Sequence, residues 1–393
     1  MTLVPAHQGL AVLEDLAVYV HWPYCARICP YCDFNVVRDR GQAEQERLAQ
    51  AIVEDLEGQA RLMGPRRLIS IFFGGGTPSL MDPAWIARII ETARRLWTPA
   101  ADLEISLEAN PTDAEAARFS GFAEAGVGRL SLGLQSLDDA ALRFLGRNHD
   151  AAEARRAAEL AARLFPRLSL DLIYARPGQT PRDWASELTA ALALGPEHVS
   201  PYQLTIEPGT AFDRQVGRGT ITPPDHDLAA ALYETTQAVL EGAGFEAYEV
   251  SNHAKGPAAR SRHNLAYWTG RDYLGVGPGA HGRLTLETGR LATQAETRIG
   301  PYIAQVADTG TGLAVREALS SRDVALERLL MGLRIDAGAP WAELAVLGLG
   351  PNHPMVADLA AQGLANPDQE RLALTRPGRA VLDAVARALT SPV

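Results

Sequence analysis

Cys25-Ala-Arg-Ile-Cys29-Pro-Tyr-Cys32 gathers every cysteine of the 393-residue chain into eight positions, with the spacing C-x3-C-x2-C. A disulfide framework needs pairs spread along a secreted chain, and three thiols on one loop do not supply them. Such a cluster holds a metal or does redox chemistry. Thiolates are the usual ligands of iron–sulfur clusters, and a cubane has four irons to satisfy. Three cysteines satisfy three of them and leave the fourth open, and an open metal position can bind and activate a ligand. His21, four residues before Cys25, leaves a Cys3His zinc knuckle as the alternative.

The next informative stretch is Gly74-Gly75-Gly76-Thr77-Pro78, directly after an apolar run at 68–73. Three glycines let a backbone approach a ligand closely, with N–H groups free to receive it. Alone, the run is only a tight strand-to-helix turn. One β/α unit after the cysteine loop, it marks a ligand site.

Outward from these two loops, short β-branched or apolar runs alternate with longer stretches of helical period. The predicted strands are 16–20, 68–73, 103–107, 129–134, 168–173 and 198–204. The predicted helices lie near 42–63, 83–96, 113–125, 151–164 and 181–194. Asp82 before Pro83, Thr112 three residues ahead of Glu115, and Thr180 before Pro181 are helix starts. Repetition of this kind builds a parallel sheet with right-handed crossovers. The fold class is α/β, a partial (β/α)6 TIM-like barrel.

Beyond Pro223 the beat changes. A helix is expected at 225–243, a strand at 245–250, a hairpin at 283–292 and a short strand at 371–375 within a mostly helical, winged-helix-like C-terminal domain. The division read from this is a leader at 1–16, the barrel at 17–222, an extension at 223–300 and the C-terminal domain at 301–393. Gly275, Gly277 and Gly279 form a late G-x-G-x-G string interrupted by Pro278, a backbone-close loop on the rim rather than a dinucleotide fingerprint, which would open the first β/α unit.

The 47% hydrophobic content suits a protein with a real core, and the formal charge of −10 argues against one that tracks phosphate backbones, so no nucleic acid partner is expected. From Trp341 to Val393 there are 4 Arg and no Lys against 2 Glu and 3 Asp, so the tail reads as a lid or docking module. No run approaches the ~18 apolar residues of a membrane span, and residues 1–16 have no signal-peptide pattern. The expected location is cytoplasmic, with peripheral membrane contact left open.

Tyr19-Val-His-Trp-Pro-Tyr-Cys25, Cys29-Pro-Tyr-Cys32-Asp-Phe-Asn35 and Gly74-Gly-Gly-Thr-Pro-Ser79 together resemble the radical S-adenosylmethionine family around HemN. That family comprises oxygen-independent coproporphyrinogen III dehydrogenases and the HemW heme chaperones, and the likeness runs from about Tyr19 to the C-terminal helix. It implies a 4Fe–4S cluster on Cys25, Cys29 and Cys32, whose open iron takes the amino and carboxylate groups of S-adenosylmethionine. An electron from the cluster then breaks the sulfonium C–S bond, giving a 5′-deoxyadenosyl radical.

Carried over by position, the resemblance implies that Gly75, Gly76 and Thr77 meet the methionine amino end of S-adenosylmethionine. Tyr19 on the first strand and Tyr31 in the cluster loop belong to the same set. So do Glu108 at the end of strand three, Gln135 of strand four, Arg147 soon after it, Asp171 of strand five and Thr205 ending strand six. His281 falls at a contact of the late glycine loop, although the family's residue type there differs. Nearly all of these lie at C-terminal ends of predicted strands, the face on which parallel β/α folds bind ligands. Taken one at a time, Glu108 and Asp171 have the alternative reading of solvated strand ends and Arg147 that of a helix-terminal charge, and the functional reading is preferred for each.

Two features separate the branches. The dehydrogenases carry a fourth cysteine where this chain has Phe34, and an N-terminal extension where only 18 residues precede Tyr19. His263-Asn-Leu-Ala-Tyr267-Trp268 matches the H-N-x-x-Y-W segment of the chaperones, and Cys32-Asp-Phe-Asn35 and Tyr202-Gln-Leu-Thr-Ile-Glu-Pro-Gly-Thr210 point the same way. The resemblance thus implies a heme chaperone that passes heme to an acceptor hemoprotein, with His263 in the heme site as a candidate axial ligand. The plainer reading of the same segment is a His-Asn pair satisfying hydrogen bonds in a core. A coproporphyrinogen III dehydrogenase and a zinc-stapled interaction module are the alternatives.

Overall fold

The computed structural model describes residues 14–39 and 41–390, so the expected leader at 1–16 lies outside it apart from its last three residues. Six parallel strands form the centre of the molecule: β1 (Asp15–Trp22), β2 (Arg67–Gly75), β3 (Thr98–Ala109), β4 (Arg129–Gln135), β5 (Arg167–Tyr174) and β6 (His198–Gln203). They are hydrogen-bonded in chain order, with β1 on β2 at Tyr19↔Phe72 and β5 on β6 at Asp171↔Ser200. Their near-continuous apolar runs are buried on both faces, as a parallel sheet covered by crossover helices requires.

The helices between the strands start where their capping residues stand. Asp82 accepts a hydrogen bond from Ala84 N at 2.8 Å ahead of the helix Pro83–Leu96, which buries Ile86, Ile89, Ile90 and Ala93 at helical spacing. Asp150 and Glu153 form a capping box at the start of Ala151–Leu164, and that helix seats Ala154, Ala157, Ala158 and Ala161 on the sheet. Thr180 caps Pro181–Leu192, whose Trp184 is wholly buried, stacked on Tyr174 at 5.3 Å and bonded to Thr236 Oγ1 at 2.8 Å. The expected helix at 113–125 is two pieces, Asp113–Ala116 and Phe119–Glu124, and Arg118 at the break turns its guanidinium back onto the carbonyls of Ser79 and Leu80.

Both edges of the barrel are extended. Beyond β6 lie β7 (Glu246–Glu249) and β8 (Asn252–Ala254), antiparallel. Beyond β1 lies β9 (Asp272–Val276), parallel to it with Gly275 opposite Tyr19, followed by the antiparallel strands β10 (His281–Leu286), β11 (Gly289–Ala295) and β12 (Leu313–Ala318). The sheet order is β12-β11-β10-β9-β1-β2-β3-β4-β5-β6-β8-β7, an open, partial barrel. Gly275 therefore belongs to a strand rather than to the rim loop. The reason for the glycines is closeness: a Cβ on Gly277 (φ +97°) would fall 2.2 Å from the carbonyl of His21.

A smaller core packs Leu329, Leu333, Trp341, Leu344, Val356, Leu372 and Val385 between short helices and a three-stranded sheet of Ala339–Pro340, Arg371–Leu374 and Ala365–Pro367. This is the C-terminal module, helical with a small wing. Arg376 ties it to Glu234 at 2.7 Å, and Arg334 to the buried Glu249 at 2.6 Å. Among the described residues no helix is long and apolar enough to cross a membrane.

Candidate functional site

The cysteine loop leaves β1 at the C-terminal end of the sheet. Tyr24–Cys25 pairs in parallel with Val37–Arg38, so the loop returns to its own base. Its tip is held from outside: Phe212 N donates to Pro30 O at 2.9 Å, and Pro30 Cδ lies where a Cβ on Gly146 would stand, at 2.6 Å. Arg147 Nη1 donates to Cys29 Sγ at 3.3 Å, while its other terminal nitrogen reaches the Asn110 side chain and Gly133 O. Burial pushes the Cys25 thiol up to about 11, and Cys32 upward as well. These are protonated thiols that must lose their protons to a metal.

The donor set suits a cubane better than zinc. Three sulfurs on one loop facing one cavity supply one ligand to each of three irons, and a zinc knuckle would need a fourth ligand beside them. His21 is occupied elsewhere, with Nδ1 3.0 Å from the Tyr19 hydroxyl and Nε2 2.9 Å from Asn35 O.

All three cysteines open onto a cavity of about 390 Å³ that also takes in Tyr31, Gly75, Gly76, Thr77, Glu108, Gln135, Arg147, Asp171 and Thr205. Gly75 has φ +107° and donates its N–H to Glu108 Oε2 at 3.2 Å. A Cβ on Gly76 would meet the Tyr24 carbonyl at 2.7 Å, so the run is pressed against the chain entering the cysteine loop. Gln135 holds φ +62°, an unusual cost for a side chain with a Cβ, and folds its amide over Gly133 into the cavity. Burial, with Asp171 nearby, pushes Glu108 up to about 8, and burial raises Asp171. Two buried carboxyls brought this close favour a cationic ligand, and S-adenosylmethionine carries an ammonium and a sulfonium.

Residues 19–189 match the family model of the radical SAM superfamily, and residues 319–381 that of the HemN C-terminal domain. The chain is 36% identical over 377 residues to heme chaperone HemW of Escherichia coli (strain K12), covering 95% of this chain and 97% of that protein. It belongs to the radical S-adenosylmethionine superfamily, in its HemW branch. Among its relatives is the mitochondrial radical S-adenosyl methionine domain-containing protein 1 of Bos taurus, 42% identical over 391 residues, with 96% of this chain and 88% of that protein covered. The solved coproporphyrinogen III oxidase HemN of Escherichia coli superposes with a TM-score of 0.79 at 22% identity, over 96% of this chain and 91% of that one, and so shares the fold.

Two of the residues expected at S-adenosylmethionine lie on the adjoining side of this pocket. Tyr19 and His281 line a second, larger cavity of about 1440 Å³, which meets the first at Asp33, Phe34, Gly75 and Glu108. Its far wall is the helix Ser321–Gly332 of the C-terminal module.

His263 behaves as the plainer reading of its segment says. Its ring is 1% exposed, stacked 4.8 Å from Phe72, with Nδ1 3.0 Å from Ser70 Oγ and Nε2 2.7 Å from the Tyr267 hydroxyl. Both nitrogens are engaged, so the ring is not presented as an axial ligand in this conformation. The helix Arg262–Trp268 works as a joint: Glu104 accepts from the N–H groups of Arg262 and His263, and Trp268 lies under the Arg334 guanidinium at 4.7 Å.

Asn110 and Arg129 escaped the sequence reading. Asn110 links Thr77 Oγ1, at 3.1 Å, to Arg147, and its place two residues past Glu108 on the same strand end was the available signal. Arg129 is 2% exposed beneath the two carboxyls, and nothing in the sequence separates it from a surface arginine.

Proposed function

We propose that this protein is a heme chaperone of the HemW type, binding heme and handing it to an acceptor hemoprotein. Its barrel holds a 4Fe–4S cluster on Cys25, Cys29 and Cys32, with S-adenosylmethionine in the smaller cavity. When bound, that cluster supplies an electron to the sulfonium. The protein's own part is to seat the methionine end against Gly75, Gly76 and Thr77, to hold Glu108 and Asp171 where positive charge arrives, and to brace the cluster loop with Arg147. Cytoplasmic location is part of the same proposal.

The observation that carries the reading is the end-to-end match to a protein named as a heme chaperone, at 36% identity over 95% of this chain. Phe34 supports it: 60% exposed between the two cavities, it stands where the dehydrogenase branch has a cysteine. The test is an anaerobic heme titration of the reconstituted protein beside a decarboxylation assay on the same sample. Saturable heme binding without turnover is expected. Steady turnover of coproporphyrinogen III without heme binding would reverse the choice in favour of the dehydrogenase.

A further inference from the structure

The larger cavity is a built site with one unengaged histidine in it. At about 1440 Å³ it exceeds the ~300–1,000 Å³ of ordinary small-molecule pockets, and it is lined with flat or apolar surface from Phe34, Trp268, Tyr273, Val324 and Met331. Two of the chain's histidines reach it among the described residues, His21 and His281. Both nitrogens of His21 are taken, by Tyr19 and Asn35. His281, at the start of β10, is exposed to the cavity, and no hydrogen bond to its ring is found among the described residues.

We infer that heme binds in this larger cavity, between the barrel edge and the C-terminal module, with His281 as its axial ligand and not His263. The inference rests on the chaperone reading and gives that function a place and an iron ligand. A neutral imidazole is the usual protein ligand of heme iron, and the surroundings keep His281 neutral, since partial burial and the neighbouring Arg283 both disfavour its charged form.

The cations of the cavity are already committed. Arg283 is paired with Glu327 at 2.7 Å, Arg290 with Asp272 at 3.2 Å, and Arg328 with Glu343. None is left over to clamp a propionate. Heme is therefore held by one iron bond and by ring packing, with its propionates toward solvent. A site meant to release its cargo needs that kind of hold.

The test uses the full chain, anaerobically reconstituted, titrated with hemin and followed by absorbance and EPR. His281→Ala is expected to weaken heme binding by about tenfold or more and to change the ligation spectrum, with cluster content unchanged. His281→Met should recover binding with a shifted spectrum, which shows that the position itself ligates. Wild-type heme affinity and spectrum in His281→Ala, beside saturable binding by the parent, would sink the inference and leave the chaperone reading standing. Loss of the ligation spectrum in a folded His263→Ala protein but not in His281→Ala would also overturn it. A parent protein with no saturable heme binding would remove the reading and the inference together.

Discussion

Arg147 donates to Cys29 Sγ at 3.3 Å across 118 positions of sequence, so the cluster loop is tied to the segment following β4. The same guanidinium bonds the Asn110 side chain and, through it, Thr77. One cation thus links the sulfur, the strand-three end and the glycine run. Charge-assisted bonds of this kind contribute about 1.5–3 kcal/mol each. Arg147→Gln is expected to lower S-adenosylmethionine affinity by about tenfold or more, read by equilibrium binding to the reconstituted protein. An unchanged affinity would reduce the residue to a staple for the loop.

The glycine run separates ligand binding from cluster binding. At Gly75, φ is +107° and a Cβ would stand 2.6 Å from the His21 ring. Gly75→Val adds left-handed strain of about 1–3 kcal/mol to that clash. Iron and sulfide content should survive, and S-adenosylmethionine binding should fall by more than about tenfold. Binding equal to the parent's would place the nucleotide elsewhere.

Glu108 makes that binding depend on pH. Without a cation beside it, its carboxyl is pushed up to about 8 by burial and by Asp171. A cationic ligand favours the carboxylate, so binding between the lowered and the raised pKa releases a proton, and affinity climbs with pH until about 8 and then levels. The same raised pKa means that the folded chain holds a proton which the unfolded chain loses near 4.5, so this group's contribution to stability, full below 4.5, falls as pH rises from there to about 8 and then levels. Glu108→Gln should flatten the affinity profile and gain thermal stability relative to the parent above pH 7. A flat parent profile from pH 6 to 8 would take Glu108 out of the contact set.

His263 should prove structural. Burial lowers its pKa to about 3, so the folded ring stays neutral while the unfolded ring charges below its ordinary 6.5. The stability it contributes is present above 6.5 and lost as pH falls from there toward 3. His263→Ala removes a stacked ring and leaves Ser70 and Tyr267 without their partner, a cost of about 2–4 kcal/mol at pH 7.5 that should shrink at pH 5. Denaturant unfolding at both pH values checks this, and heme affinity at pH 7.5 should change by less than about threefold. A stable variant that has lost its heme spectrum would contradict it.

The barrel was legible because each of its signals is local. Six buried strands and capped helices at Asp82, Thr112 and Thr180 can be read from neighbours within a few positions. What stayed hidden is what comes from a distance. β9 and β12 are short strands that exist because a neighbouring edge is there to pair with, β1 for the first and β11 for the second. The small cavity's residues came from the family resemblance, and the shared face of parallel strand ends agreed with that set. That agreement does not extend to His281, since it leaves the last antiparallel hairpin on the barrel flank and faces the C-terminal module. For His263 the pattern was legible and the environment was not: Ser70 lies 193 positions away.

The pairing of β1 with β9 has a consequence for the order of events during synthesis. A ribosome adds about 5–20 residues per second, and β1 emerges some 250 positions before its partner. Until then the strand that leads into the cysteine loop keeps a bare edge, the kind of surface that joins other chains. Asn35, on the far side of the loop, also waits for the carbonyls of Pro278 and Thr297, each 2.9 Å from its amide. A nascent chain that stops short of residue 276 thus presents the three thiols on a loop that Arg147 and Phe212 can already hold, but that lacks the Asn35 anchors and lies beside an open strand. Metal insertion belongs after the barrel flank has docked, late in the life of the growing chain.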